Sequence, residues 1–177
     1  MGVFWHRSRR RTPRQSGQDK RGPMIILLAF LIGVVSGLRA LTGLAILSWA
    51  ARLHRINLEG TMFAFLGYAA TPYIFTVMAV GELINDKLPK TPSRTLPPSF
   101  ITRLVTGALC GAVVGFTGNM LIFGLLAGVL GGAVGTLGGA KVRGLLANTL
   151  GSDLPAALLE DCVAIALAVV VAYYAGA

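Results

Sequence analysis

Forty consecutive residues, 101–140, carry a single charge, Arg103. A helix needs only ~20 apolar residues to cross the hydrocarbon core of a bilayer, so this run most economically makes two crossings. Thr117-Gly118-Asn119 supplies a tight hairpin between them. Three further apolar stretches follow the same logic. Residues 24–53 form a run longer than one crossing needs and interrupted by Arg39, so this helix is expected to be tilted, broken or partly interfacial. Residues 61–80 form a second crossing that contains Pro72, a residue that kinks a membrane helix without ending it. The last starts at Asp153, whose carboxylate suits the orphan amides of a helix start, with Pro155 in the first turn, and it ends at the interfacial pair Tyr173 and Tyr174.

The expected fold is therefore all-α, a polytopic transmembrane helix bundle of about five spans. A sixth element arises if the first stretch breaks near Arg39 or if residues 142–151 are re-entrant or interfacial. Composition agrees: across 177 residues the chain is 54% hydrophobic and 13% charged, with a mean hydropathy of +0.70, which excludes an ordinary soluble domain. Two cysteines and few polar residues also exclude a disulfide-stapled secreted domain and a disordered chain.

The net charge of +9 is unevenly spread, since seven of the 16 Lys and Arg precede residue 24. These are Arg7, Arg9, Arg10, Arg11, Arg14, Lys20 and Arg21, opposed by Asp19 alone. Inside a membrane protein such a run acts as a topology signal and a contact for anionic lipids, and no nucleic acid is expected as a partner. Residues 1–23 are accordingly assigned as a basic, disordered cytoplasmic tail, and residues 24–177 as one transmembrane domain. The segment 87–98 combines four prolines with three cations and must leave the hydrocarbon core. Placing the tail, this Pro-rich loop and the pair Lys141 and Arg143 on one face, against Arg52 and Arg55 on the other, predicts a cytoplasmic N-terminus, a cytoplasmic loop and an external C-terminus.

Helix association in lipid relies on small residues that let backbones approach. Gly107, Gly111 and Gly115 form one four-residue stripe, and Gly124, Gly128 and Gly132 a second, with Gly131, Gly135 and Gly139 beside it; Gly33 and Gly37 precede Arg39. These glycines predict tight packing within the bundle or along a homo-oligomer seam, rather than a phosphate loop, because no strand precedes them and no Gly-Lys-Ser/Thr follows.

Arg39 needs an explanation, because an arginine within an apolar helix costs roughly 2.5–3.5 kcal/mol on insertion scales and therefore faces protein or water. Its candidate partners are Glu82 and Asp86, one turn apart, and the adjacent Glu160 and Asp161. Depth complicates the pairing. Counted from Met24, Arg39 lies roughly 22 Å along a straight helix, while Glu160 lies about 10 Å into the last span. With both measured from the cytoplasmic end, a straight first helix places them too far apart; the conflict eases if residues 24–29 lie in the interface or the helix breaks near Gly37, and a break or strong tilt is expected. No cofactor or metal is expected: Glu82 and Asp86 lack further oxygen ligands, Cys110 and Cys162 lack a CxxC spacing, His6 and His54 lie in the tail and at a boundary, and no nucleophile elbow is present.

The strings Ser36-Gly37-Leu38-Arg39-Ala40-Leu41-Thr42 and Trp49-Ala50-Ala51-Arg52, the run from Gly81 to Arg94 containing Glu82, Asp86, Lys87 and Pro89, and Leu158-Leu159-Glu160-Asp161 resemble a bacterial membrane family, domain of unknown function four-one-two-six. The similarity covers about residues 28–170. The resemblance implies a small polytopic protein of the bacterial inner membrane and supplies no catalytic or binding residues. A Gly-rich helix followed by an acidic one occurs twice, residues 33–39 then 82–86, and residues 131–139 then 160–161, which under five-span topology predicts an inverted pseudo-repeat with a polar site between its halves.

The leading expectation is a permease-like or channel-like protein for a small ion, proton or anionic solute, with Arg39 holding charge and Glu82, Asp86, Glu160 and Asp161 as counter-ions or proton carriers. The rival is a non-transporting membrane organiser whose charges are structural. An enzyme acting on lipid ranks third.

Overall fold

The computed structural model describes residues 13–87 and 96–177. Of the tail assigned to residues 1–23, residues 1–12 lie outside the described residues, as does most of the Pro-rich loop, whereas residues 13–23 are helical and not disordered, continuing into the first apolar run as one helix. Six helices follow one another, with no strand among the described residues: α1 (Pro13–Leu38), α2 (Thr42–Arg52), α3 (Thr71–Asn85), α4 (Pro97–Thr117), α5 (Leu121–Leu150) and α6 (Asp153–Ala175). A 3₁₀ turn, Ala64–Gly67, lies between α2 and α3. α1, α4, α5 and α6 are long and apolar enough to cross a membrane.

The glycine stripes set the centre of the bundle. A Cβ added at Gly111 or Gly115 on α4 would fall on the backbone of α5 at Gly124 and Gly128, and one at Gly107 would meet Gly128. On its other side α5 meets α1, where Gly33 and Gly37 lie against Gly128, Gly132 and Gly135, and Gly131 against Phe30 and Val34. Lipid supplies no hydrophobic drive for association, so this contact of backbone on backbone provides the packing. The stripes are thus used within one chain. Gly139 lines a surface groove bordered by α1, α5 and α6, as does Gly135.

The rising order of those contacts shows that α1 and α5 run parallel: Gly22 lies by Met120, Gly33 by Gly128 and Gly37 by Gly135. α4 runs antiparallel to both, with Gly118 against Ile25 at one end and Arg103 against Gly37 and Leu38 at the other. α6 is antiparallel as well, since Asp161 meets Arg39 while Tyr174 and Ala175 border Arg21 and Gly22. The inverted relation between the first and last helix pairs is therefore absent, because an inverted pair requires α1 and α5 to point in opposite directions.

The first apolar stretch is broken and folds back. α1 ends at Leu38, and α2 returns along it toward the end from which α1 came, with Gly43 close enough that a Cβ would meet Ser36 Oγ at 2.9 Å and Cys110 Sγ at 3.1 Å. α3 then runs antiparallel to α2, from Trp49 beside Tyr73 and Thr76 to Leu41 beside Glu82. Pro72 sits in the first turn of α3, where its missing N–H leaves no gap, so it starts this helix instead of kinking one. α5 continues past Lys141 and Arg143 to Leu150, and the chain reverses at Gly151, φ +67°.

These directions correct the expected sidedness. Arg21, Gly22 and Met24 share one end of the bundle with Gly118 and Ala177, whereas Lys87, Arg143 and Asp153 meet at the other end. Arg21 and Ala177 thus lie at one end of the bundle, and Lys87 and the start of α4, the described residues that flank the Pro-rich loop, at the other. The same-face count failed because it took every apolar run to be a crossing, and the α1–α2 hairpin turns back. The depth conflict disappears with it: α1 and α6 enter from opposite ends, so roughly 22 Å along one and about 10 Å along the other bring Arg39 and Glu160 to one level.

Candidate functional site

The site is built on the break between α1 and α2. Arg39 N still bonds Val35 O at 2.7 Å, but the next two amides have no helical acceptor. Glu82, from the last turn of α3, takes both: Ala40 N–H donates to Oε1 at 2.8 Å and Leu41 N–H to Oε2 at 2.9 Å. On the other side of the break, Arg103 of α4 donates through Nη1 to the carbonyls of Gly37 at 2.8 Å and Leu38 at 2.6 Å. Thr136 Oγ1 adds a bond to Gly37 O at 3.2 Å. The positive start of α2 thus faces a carboxylate and the negative end of α1 a guanidinium, each complementing the local helix dipole. Glu82 Oε1 and Arg103 Nη2 stand 3.4 Å apart, so one ion pair joins both caps. Backbone left unsatisfied in hydrocarbon costs several kcal/mol per group, and these side chains make the break tolerable there.

Arg39 projects from the break and is fully buried. Its Nε donates to Asp161 Oδ1 at 2.6 Å, its Nη2 lies 2.5 Å from the same oxygen, and its Nη1 lies 2.7 Å from Asp86 Oδ2. Glu160 Oε2 stands 3.9 Å from Nη2. Asp86 caps α3, while Glu160 and Asp161 lie on α6, so one guanidinium ties three helices together. Lys87 Nζ reaches the other oxygen of Asp161 at 2.7 Å. Arg143 of α5 bonds Asp86, holds Asp153 through Nε at 2.8 Å and Nη2 at 2.6 Å, and stands 3.7 Å from Glu160. Five of the chain's seven carboxylates therefore converge here.

Depth follows from helix rise. Arg103 is six residues into α4 and Asp161 eight into α6, which puts the break roughly 9–12 Å inward of those helix starts. Arg39 is thus held inside the helix bundle and away from the helix starts.

All five residues singled out from sequence, Arg39, Glu82, Asp86, Glu160 and Asp161, are brought into this one cluster. Glu82 does not touch Arg39 directly; it binds the break's amides and Arg103. That division also removes a paired-carboxylate metal site at Glu82 and Asp86, because the two engage different cations. Arg103, Lys87, Arg143 and Asp153 belong to the site and were not singled out. Their only sequence signal was charge near the end of an apolar run, which equally marks an exit from the membrane. Asp153 in particular does not cap α6; its carboxylate binds Arg143 and Ser152 occupies the cap position. The remaining candidates lie elsewhere: Cys110 is buried beside Gly43, Cys162 is exposed, and His54 makes an exposed contact of 3.8 Å with Glu59.

Fold and site together define a helical membrane protein, with four helices long and apolar enough to span, that encloses a buried ion cluster. Compared with family models, curated proteins and solved structures, the chain matches none.

Proposed function

We propose that this protein is a small permease that moves a proton or small cation through the cluster at the α1–α2 break. The carrying observation is the break itself: helix ends that terminate inside the bundle among convergent charges have a counterpart in the discontinuous helices at which secondary transporters bind ions. An anionic solute fits less well, because every nitrogen of Arg39 already faces a carboxylate and an anion would have to displace Asp86 or Asp161. Asp86, Glu160 and Asp161 are the candidate carriers, and Arg39 and Arg143 the fixed charges beside them.

The seven-cation tail supports a cytoplasmic N-terminus in a bacterial inner membrane, touching anionic lipids. With the observed helix directions the C-terminus then shares that face, and the Pro-rich loop lies across the membrane. The resemblance to domain of unknown function four-one-two-six belongs to the same reading: its segments 36–42, 81–94 and 158–161 are the ones whose described residues meet at the break.

One observation favours the second reading, a non-transporting organiser: both ends of the break are capped by the protein's own Glu82 and Arg103, as in a structural lock. Charge movement on a solid-supported membrane separates the two. Liposomes holding wild type should give currents on a pH or monovalent-cation jump, and folded Glu160→Gln should lose them. Silence across the panel, with Glu160→Gln merely less stable to heat, would establish the organiser.

A further inference from the structure

α3 is held differently from every helix around it. It packs chiefly on α2 and the 3₁₀ turn, and only Pro72 and Ala79 along its length are buried. Tyr73, Ile74, Val77, Met78, Val80 and Ile84 face outward, and a Cβ at Gly81 would touch nothing. Its side contacts are with α2 and the 3₁₀ turn: Phe75 packs against the core, Ala79 is buried, and Trp49 stands edge-on to Tyr73 at 5.1 Å and donates to Thr76 Oγ1 at 3.0 Å. What fixes its far end is charge: Glu82 on the break's amides and Arg103, Asp86 on Arg39 and Arg143, and Lys87 on Asp161. Its near end is anchored, since Leu66 of the 3₁₀ turn is fully buried and Tyr68 leaves that turn in extended conformation, φ −64°, ψ 150°. Anchored at one end, latched by polar bonds at the other and packed between them chiefly on α2 and the 3₁₀ turn, outside the backbone-to-backbone seams of α1, α4 and α5, a helix has the make-up of a hinged element.

We propose that α3 is the gate of this protein: a helix hinged at Tyr68–Ala70 whose Glu82–Asp86–Lys87 tip latches over the α1–α2 break and, when released, uncovers Arg39. The gate deepens the permease reading and rests on it for its purpose, but not for its test. The latch bonds are of a kind that exchange. Glu82 uses both oxygens as acceptors, so losing one forces an amide of the break to find another partner. Asp86 shares its cations with Asp161, Glu160 and Asp153, which remain behind on α6 and keep Arg39 and Arg143 compensated while α3 moves.

The test is a pair of distances in the full chain in lipid nanodiscs, on a Cys162→Ser background that leaves the buried Cys110 in place. Spin labels at Val77 and Val169, both exposed, report α3 against α6; labels at Ile101 and Val169 report α4 against α6 as a control. Glu82→Gln should add a population longer by about 5 Å, one helical turn, to the first pair and leave the second unchanged. An unchanged first pair in folded Glu82→Gln overturns the gate, and so does equal broadening of both pairs, which means general loosening. If Glu82→Gln does not fold, Lys87→Gln is read with the same labels and the same criteria. Liposome currents play no part in this readout. An α3 that opens in a protein silent in liposomes keeps the gate and removes transport; currents with a rigid α3 do the reverse.

Discussion

α5 and α3 are both apolar helices, yet one is fastened by backbone and the other by charge. α5 lies between α1 and α4 with Gly128 in contact with both neighbours, so the three helices meet at backbone distance along their length. α3 packs by side chains on α2 and the 3₁₀ turn, with Phe75, Ala79 and the Trp49–Tyr73 contact, and meets the rest of the bundle through its charged tip. The difference teaches how a small membrane protein separates rigidity from adjustability. Dispersion contacts between glycine backbones are numerous, short-ranged and lost only when the helices part altogether. Ion pairs and charge-assisted bonds at the break are few, strong when made and able to exchange partners.

Substitutions in the two regions should differ accordingly. The largest effect is expected for Gly128→Val, which drives a branched side chain into the backbones of Gly107 and Gly111 and should destabilise the bundle by about 3 kcal/mol or more, read as loss of the folded fraction in a detergent unfolding series. A loss under 1 kcal/mol would mean the trio is looser than described. A smaller effect is expected for Trp49→Phe, which keeps the ring against Tyr73 but removes the bond to Thr76; about 1 kcal/mol is predicted in the same series. A much larger loss there would mean that side packing, and not the charged tip, holds α3.

Much of this was legible in the sequence, for identifiable reasons. Four-residue spacing of glycine reads directly as a helix seam, and both α5 seams were visible, although Gly139 turned out to line a groove. Arg39 and its partners were legible because a charge in an apolar run must be compensated and the chain offers few carboxylates to do it. The break near Arg39 followed from the excess length of the first stretch. Sidedness was not legible, because counting cations presumes that every run crosses, and only tertiary contacts show α2 folding back along α1 at Gly43. Nor were the roles of Arg103, Arg143 and Asp153. Each is a lone charge near a helix start or a presumed exit, where sequence alone does not distinguish a solvated boundary residue from a side chain reaching a neighbouring helix.

The central claim is that Arg39, at a break inside the bundle, is held by Asp161 across 122 residues of sequence. A double-mutant cycle on Arg39→Gln, Asp161→Asn and the two combined tests it most directly by unfolding in one detergent. Each single variant should lose about 2 kcal/mol, because a buried charge-assisted bond is broken while Asp86 still faces Arg39 and Lys87 still faces Asp161. The pair should lose about 2 kcal/mol less than the two singles together. Losses that add to within about 0.5 kcal/mol would contradict the account, showing that the two side chains do not meet.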